Sequence, residues 1–361
     1  MQVALLADRG WLDESLTLLR YLAVGLVDDR VRVQQVVPEG IDLSEVSVFG
    51  QQLTFKETAW PTRLQRRLAK LREPLKSSGV ELLHALSCRM WMGAAALASA
   101  MDVPAVLTIN GEGDLEHIAR AAAALPAGRG TFLAATAPLA DAARESAGDH
   151  APVETVRFGV HAASRPAPSR EPDEPLCIVV TGNGQHDAHY EAFLVGLAQL
   201  VREQPGVQCF IDGQAHDQHG IWQAARRLDL LGHVSLIPRR LGHREMLLRA
   251  HVMVQPQPLG AARMVTLQAF ANGVAVLAVD DPWLDYLHHD QTAWVLHNAE
   301  PDAWTAWLRR VCDDPAGSAA LGQRARAWVG EHRVAADFLT GVLRHYRGLM
   351  GESLRFDPAA A

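Results

Sequence analysis

The chain has 361 residues, a formal net charge of −7, 48% apolar and 21% charged residues, which suits two soluble α/β domains better than one core. The acidic balance excludes nucleic acid as the main partner, because duplex binding needs a basic face. No apolar run reaches the ~18 residues of a membrane span. The three lysines, Lys56, Lys70 and Lys76, all fall in the first quarter, which excludes a pyridoxal-phosphate Schiff base further on.

Met1 to Ala7 enters an apolar run with no basic n-region and no small-residue cleavage site, so a cytoplasmic protein is expected. Short apolar runs at Val3–Ala7, Val31–Val37, Val80–His84, Ala105–Ile109, Phe132–Ala135 and Thr155–Phe158 predict strands separated by amphipathic helices, the rhythm of a parallel doubly wound sheet. Residues 162–175, AASRPAPSREPDEP, are rich in proline, small and charged residues and have no apolar period, as an exposed linker does. The rhythm restarts with strands at Leu176–Thr181, Val207–Asp212, Val234–Ile237, Val252–Gln255, Ala275–Val279 and Ala293–Leu296. Helices are expected over 188–203, 217–231 and, at the end, about 302–313, 317–331 and 335–350. The predicted organisation is a Rossmann-like domain over 1–165, a linker over 166–175, a second Rossmann-like domain over 176–335, and a tail over 336–361 packing back on the first. Function is expected in a cleft at the carboxyl ends of the strands. The four cysteines, Cys88, Cys177, Cys209 and Cys312, lack C-x-x-C spacing and suit core packing.

Several motifs carry a resemblance. Glu81–Gly111, ELLHALSCRMWMGAAALASAMDVPAVLTING, is similar in order and spacing to a stretch of glycosyltransferase family 4 in which an H-x-H strand end, an alanine-rich helix and a VLT-V-H-G strand follow one another. Phe132–Asp141, Val156–Val160, Ile211–Gly213 and Asp290–Leu296 continue it. Gln255–Val276, QPQPLGAARMVTLQAFANGVAV, resembles the family signature with two glutamates eight positions apart. The resemblance implies the GT-B fold, two Rossmann-like domains facing a central cleft. It also implies a retaining glycosyltransferase that passes a hexose from a nucleoside diphosphate-sugar to a glycan or lipid acceptor, with no metal or other cofactor required.

Such an enzyme stabilises a leaving pyrophosphate with cations and a helix N-terminus. The family's arginine and lysine positions fall on Asn183 and His189, and its paired glutamates on Gly260 and Gln268. Its glycine at the start of the intervening helix is Arg263, either a block to close approach or a relocated cation for the phosphates. Gly182, Gly184, His186, Thr266 and Arg239 complete the donor-side candidates. On the acceptor side the family histidine falls on Asn110, His84 remains from the H-x-H pair, and Arg9-Gly10 occupy the first loop. Two H-D-x-H tetrads, with His186 and His189 in one and His216 and His219 in the other, are an alternative divalent-metal site, or a coincidence among 16 histidines.

Arg63–Lys76, RLQRRLAKLREPLK, sets Leu64, Leu68, Leu71 and Leu75 on one helical face with cations elsewhere. This pattern suits either a Rossmann helix or peripheral contact with the inner face of a membrane. Two readings of function stay open: a divergent glycosyltransferase, and a catalytically inactive pseudo-glycosyltransferase acting in binding, regulation or assembly with a protein partner.

Overall fold

The structure is a computed structural model that describes residues 1–41, 50–162, 170–171, 174–182, 187–212, 219–237 and 246–351. The chain forms two compact units, Met1–Phe158 together with Ala335–Ala361, and Gly159–Val334.

In the first unit β1 (Gln2–Leu6), α1 (Arg9–Asp28), β2 (Arg32–Pro38) and β3 (Gly50–Phe55) are followed by α2 (Pro61–Ala69), α3 (Arg72–Ser77), β4 (Leu82–Ala85) and α4 (Cys88–Met101). Next come β5 (Ala105–Ile109), α5 (Ile118–Ala124), β6 (Gly130–Ala134), α6 (Ala137–Ala147) and β7 (Val153–Thr155). The sheet order is β3-β2-β1-β4-β5-β6-β7, with parallel pairing throughout. Helices cover both faces of such a sheet, which is why β1, β4 and β5 are buried at every position. Strand β3 was absent from the expected strands: its sequence GQQLTF is largely polar, as an edge position permits. The first unit runs only to Phe158, because Val156 and Phe158 still lie in its core, Phe158 edge-on to Phe338.

The second unit contains β8 (Cys177–Val180), α7 (Asp187–Glu203), β9 (Gln208–Asp212), α8 (His219–Arg227), β10 (Val234–Ile237), β11 (Val252–Gln255), α9 (Met264–Asn272), β12 (Ala275–Val279), β13 (Trp294–Leu296), α10 (Pro301–Asp313) and α11 (Pro315–His332). Its parallel sheet has the order β10-β9-β8-β11-β12-β13. Proline at the start of α10 and α11 sets the helical φ where no N–H is needed. Gly273, at φ +73°, ends α9 in the left-handed conformation. The last helix, α12 (Ala335–Leu349), belongs to the first unit, where Leu339 sits on Gly25 of α1 so closely that a β-carbon there would collide with it.

Candidate functional site

The first unit gathers its polar groups beyond the carboxyl ends of β1, β4 and β5. Asp8 caps α1 by accepting from Trp11 N at 3.1 Å. The indole of Trp11 then donates to Asn110 Oδ1 at 3.2 Å, while Asn110 Nδ2 donates to Leu86 O at 2.9 Å and its backbone N to Asp114 Oδ2 at 2.7 Å. Asn110 is thus a latch joining α1 to the ends of β4 and β5. Its side chain is engaged on both its oxygen and its nitrogen. Asp114, which sequence reasoning missed, has its carboxyl pushed up by burial, opposed by the amides of Asn110 and Gly111 and by the Cys88 thiol. The thiol itself is pushed up by burial and by the neighbouring Asp114.

Arg9 and Arg89 share Glu57. Arg9 Nε lies 3.8 Å and Arg89 Nη1 3.3 Å from its carboxylate, and Arg9 Nη2 also donates to Glu39 O. Gly10 sits against the capping carboxylate of Asp8, where a β-carbon would come within 3.2 Å of Oδ1. His84 requires a correction. Only 1% exposed, it shares hydrogen bonds of 2.5 Å with the Tyr346 hydroxyl and 2.7 Å with the Thr108 hydroxyl, and burial lowers its pKa to about 3. A neutral ring with both nitrogens engaged in the core does not meet an acceptor.

In the second unit the loop from β11 to α9 is held by one bracket of chain, residues 281–286. Asp281, buried, accepts from Leu259 N and Gly260 N at 2.8 Å each and from Trp283 N at 3.1 Å. Tyr286, fully buried, accepts from Arg263 N at 3.2 Å. Its hydroxyl is pushed up by burial and remains protonated. Arg333 pairs with Asp285, and its guanidinium lies 5.3 Å from the centre of the Tyr286 ring. The bracket was missed because Asp281, Tyr286 and Arg333 sit in no motif; the D-D-x-x-x-D-Y run after β12 is its only local trace.

The bracket explains Gly260. Its φ is +60°, a conformation that a glutamate adopts only with strain, and its N–H belongs to Asp281. Arg263 is the residue before α9, 7% exposed, and α9 has no side-chain cap. Its first-turn amides therefore form an electropositive helix start, with Arg263 as the residue before it. Gln268 lies within α9 and is 8% exposed. Thr266 is fully buried and donates to Gln255 Oε1 at 3.3 Å, so it is a packing residue and not a donor contact. Gly182 is likewise shaped from inside: a β-carbon there would collide with the Tyr190 hydroxyl.

His189 lies in the first turn of α7 and is half-buried. Asn183, Gly184, His186, His216, Arg239 and the side chain of His219 lie outside the described residues. Among the described residues no group of three or more His, Cys, Asp and Glu side chains could hold a metal ion.

The basic segment 63–76 is two helices and not one, α2 and α3, broken at Lys70-Leu71. Leu64, Leu68 and Leu75 are buried, Leu68 against Gly93 of α4. The apolar face is used in packing within the first unit. No described helix is long and apolar enough to cross a membrane.

Residues 163–328 match the family model described as glycosyl transferases group 1. The whole chain has the GT-B fold of several solved structures. A sucrose-phosphate synthase from Thermosynechococcus elongatus superposes with a TM-score of 0.77 at 16% identity, covering 98% of this chain and 100% of that one. HepE from Anabaena, in complex with UDP and glucose, gives 0.76 at 13% identity, covering 96% and 99%. A putative UDP-N-acetylglucosamine 2-epimerase from Listeria monocytogenes gives 0.66 at 10% identity, covering 98% and 97%, so the fold by itself does not select group transfer over epimerisation. Comparison with curated protein sequences finds no match. Within the glycosyl transferases group 1 segment lie the bracket, Arg263 and Gln268.

Proposed function

We propose that the protein is a glycosyltransferase of the retaining, nucleotide-sugar-dependent kind, passing a hexose from a nucleoside diphosphate-sugar to a glycan or lipid acceptor in carbohydrate biosynthesis. The observation that carries this reading is the bracketed loop, which fixes a helix start and the backbone of Arg263 just before it inside the segment matched by the family model. An uncapped helix N-terminus with an arginine beside it stabilises a diphosphate. Gln268 is the candidate for the ribose hydroxyls, and Arg9 and Gly10 for the acceptor side. The diphosphate needs no bound metal where Arg263 and the helix start supply the counter-charge.

A second reading, a pseudo-glycosyltransferase serving as a binding, regulatory or assembly subunit, has its own support. Gly260 brings no side chain where the family's glutamate would meet the donor sugar, and Asn110 cannot exchange a proton. At about 3–4 kcal/mol for each lost transition-state contact, two such losses remove most of the ~8 kcal/mol of modest enzymatic acceleration.

Thermal shift against UDP, GDP, ADP and their sugar conjugates, with and without magnesium or zinc, tests nucleotide binding. A ligand at 100 times its Kd stabilises the protein by ~2.7 kcal/mol, a shift of several degrees. Arg263→Ala is expected to abolish that shift. No response to any nucleotide at millimolar concentration overturns the donor reading. Binding without sugar release or transfer on prolonged incubation supports the pseudo-enzyme.

A further inference from the structure

Two buried polar side chains stand side by side where the second sheet reverses its strand order. The order β10-β9-β8-β11-β12-β13 runs outward in both directions from β8 and β11, and the carboxyl ends of such a pair flank the crevice in which open α/β sheets hold ligands. The two strands read CIVV and VMVQ and pair in parallel, with Val180 opposite Val254. Thr181 N donates to Val254 O at 2.9 Å, so the pairing carries on one step. It brings Thr181 beside Gln255 with both side chains on one face of the sheet. Both residues are fully buried. On that face lies α9, whose Thr266, in the first turn, donates to Gln255 Oε1 at 3.3 Å.

That bond satisfies one end of the Gln255 amide and leaves the other. Gln255 Nε2 and Thr181 Oγ1 have no hydrogen-bond partner among the described residues. Turning the amide over leaves its oxygen unpaired in place of the NH2, because the Thr266 hydroxyl meets only one end at a time. Unpaired polar groups are costly inside a core, and valine and methionine would fill similar volumes with nothing to satisfy. A hydroxyl and an amide on these apolar strands therefore point to a small polar occupant. Thr181, Gln255 and Thr266 are all neutral, which suits an uncharged one. We propose that Thr181 Oγ1 and the free end of the Gln255 amide hold one internal water molecule, which joins the ends of β8 and β11 to the first turn of α9 through Thr266. The bracket of residues 281–286 holds the loop before α9; the water is a second and separate tie on the same helix start. The proposal does not depend on whether the protein transfers sugars.

The experiment is a crystal structure of the full chain at a resolution that shows ordered water, together with a double-mutant cycle of Thr181→Val and Gln255→Met read by urea titration. One water within hydrogen-bond distance of Thr181 Oγ1 and of the Gln255 amide is expected in the parent. Thr181→Ser, which keeps the hydroxyl, should retain it, and Thr181→Val should lose it. Each single variant of the cycle leaves the other polar group short of its partner, so each should lower the urea midpoint. T181V/Q255M removes both groups and should lower the midpoint by clearly less than the two single losses added together. A direct hydrogen bond between Thr181 and Gln255 with no water between them overturns the proposal, as do single losses that add up in the double variant. An atom at that position that refines as a metal ion assigns the site to a cation and also overturns it.

Discussion

Replacing Asp281 by asparagine tests the bracket with one atom changed. In the native protein the carboxylate accepts three backbone N–H groups, two on Oδ2 from Leu259 and Gly260 and one on Oδ1 from Trp283. An amide has one accepting oxygen. If it takes the Oδ2 place, the new NH2 points at Trp283 N–H; if it is turned over, two loop amides lose their acceptor. Hydrogen bonds to a charged partner contribute about 1.5–3 kcal/mol each. Losing one and weakening two therefore costs about 2–4 kcal/mol. For a unit of this size each kcal/mol corresponds to ~2–4 °C, so Tm should fall by roughly 5–15 °C. Amide exchange at Leu259 and Gly260 should accelerate along with it. A variant that melts within about 1 °C of the parent, with those two amides still protected, would refute the reasoning.

Tyr286→Phe removes the acceptor of Arg263 N alone; the expected outcome is a loss of ~1–2 kcal/mol by urea titration, with faster exchange at Arg263 and not at Leu259. Gly182→Ala forces a β-carbon against the Tyr190 hydroxyl and should destabilise by ~1–3 kcal/mol, with partial recovery in G182A/Y190F; a nucleotide-binding defect at unchanged stability would instead assign Gly182 to the donor. His84 titrates near 6.5 when unfolded and at about 3 when folded, so the unfolded chain binds the extra proton between those values. Its contribution is full above pH 6.5 and is lost as pH falls towards 3, at about 1.4 kcal/mol per unit. His84→Gln should make the urea midpoint less steeply dependent on pH across that window.

Periodicity located strands where burial on both faces makes them largely apolar: β5, β11 and β12 coincide with the expected runs. It failed for β3, whose polar edge sequence carries no such signal. It also set the end of the first unit at 165, because composition marks the exposed linker while Val156 and Phe158 are fixed by contacts with α12, far along the chain. The position of Arg263 before a helix was legible from the resemblance. Its setting was not, since Asp281 and Tyr286 reach the loop across 21 to 23 residues through single atoms. His84 shows the opposite failure: a strand-end histidine carries the same letter whether it faces a ligand or a tyrosine 262 residues away.

The return of α12 to the first unit has a consequence for synthesis. Residues 159–334 are contiguous and leave the ribosome as a complete folding unit. Residues 1–158 emerge earlier yet must wait, with Leu18 and Leu22 on α1 and the imidazole of His84 uncovered, until Leu339, Val342 and Tyr346 follow. The half made first is finished last. A chain ended at residue 334 and released from the ribosome should therefore hold a protease-resistant second unit and a first unit that recruits chaperones.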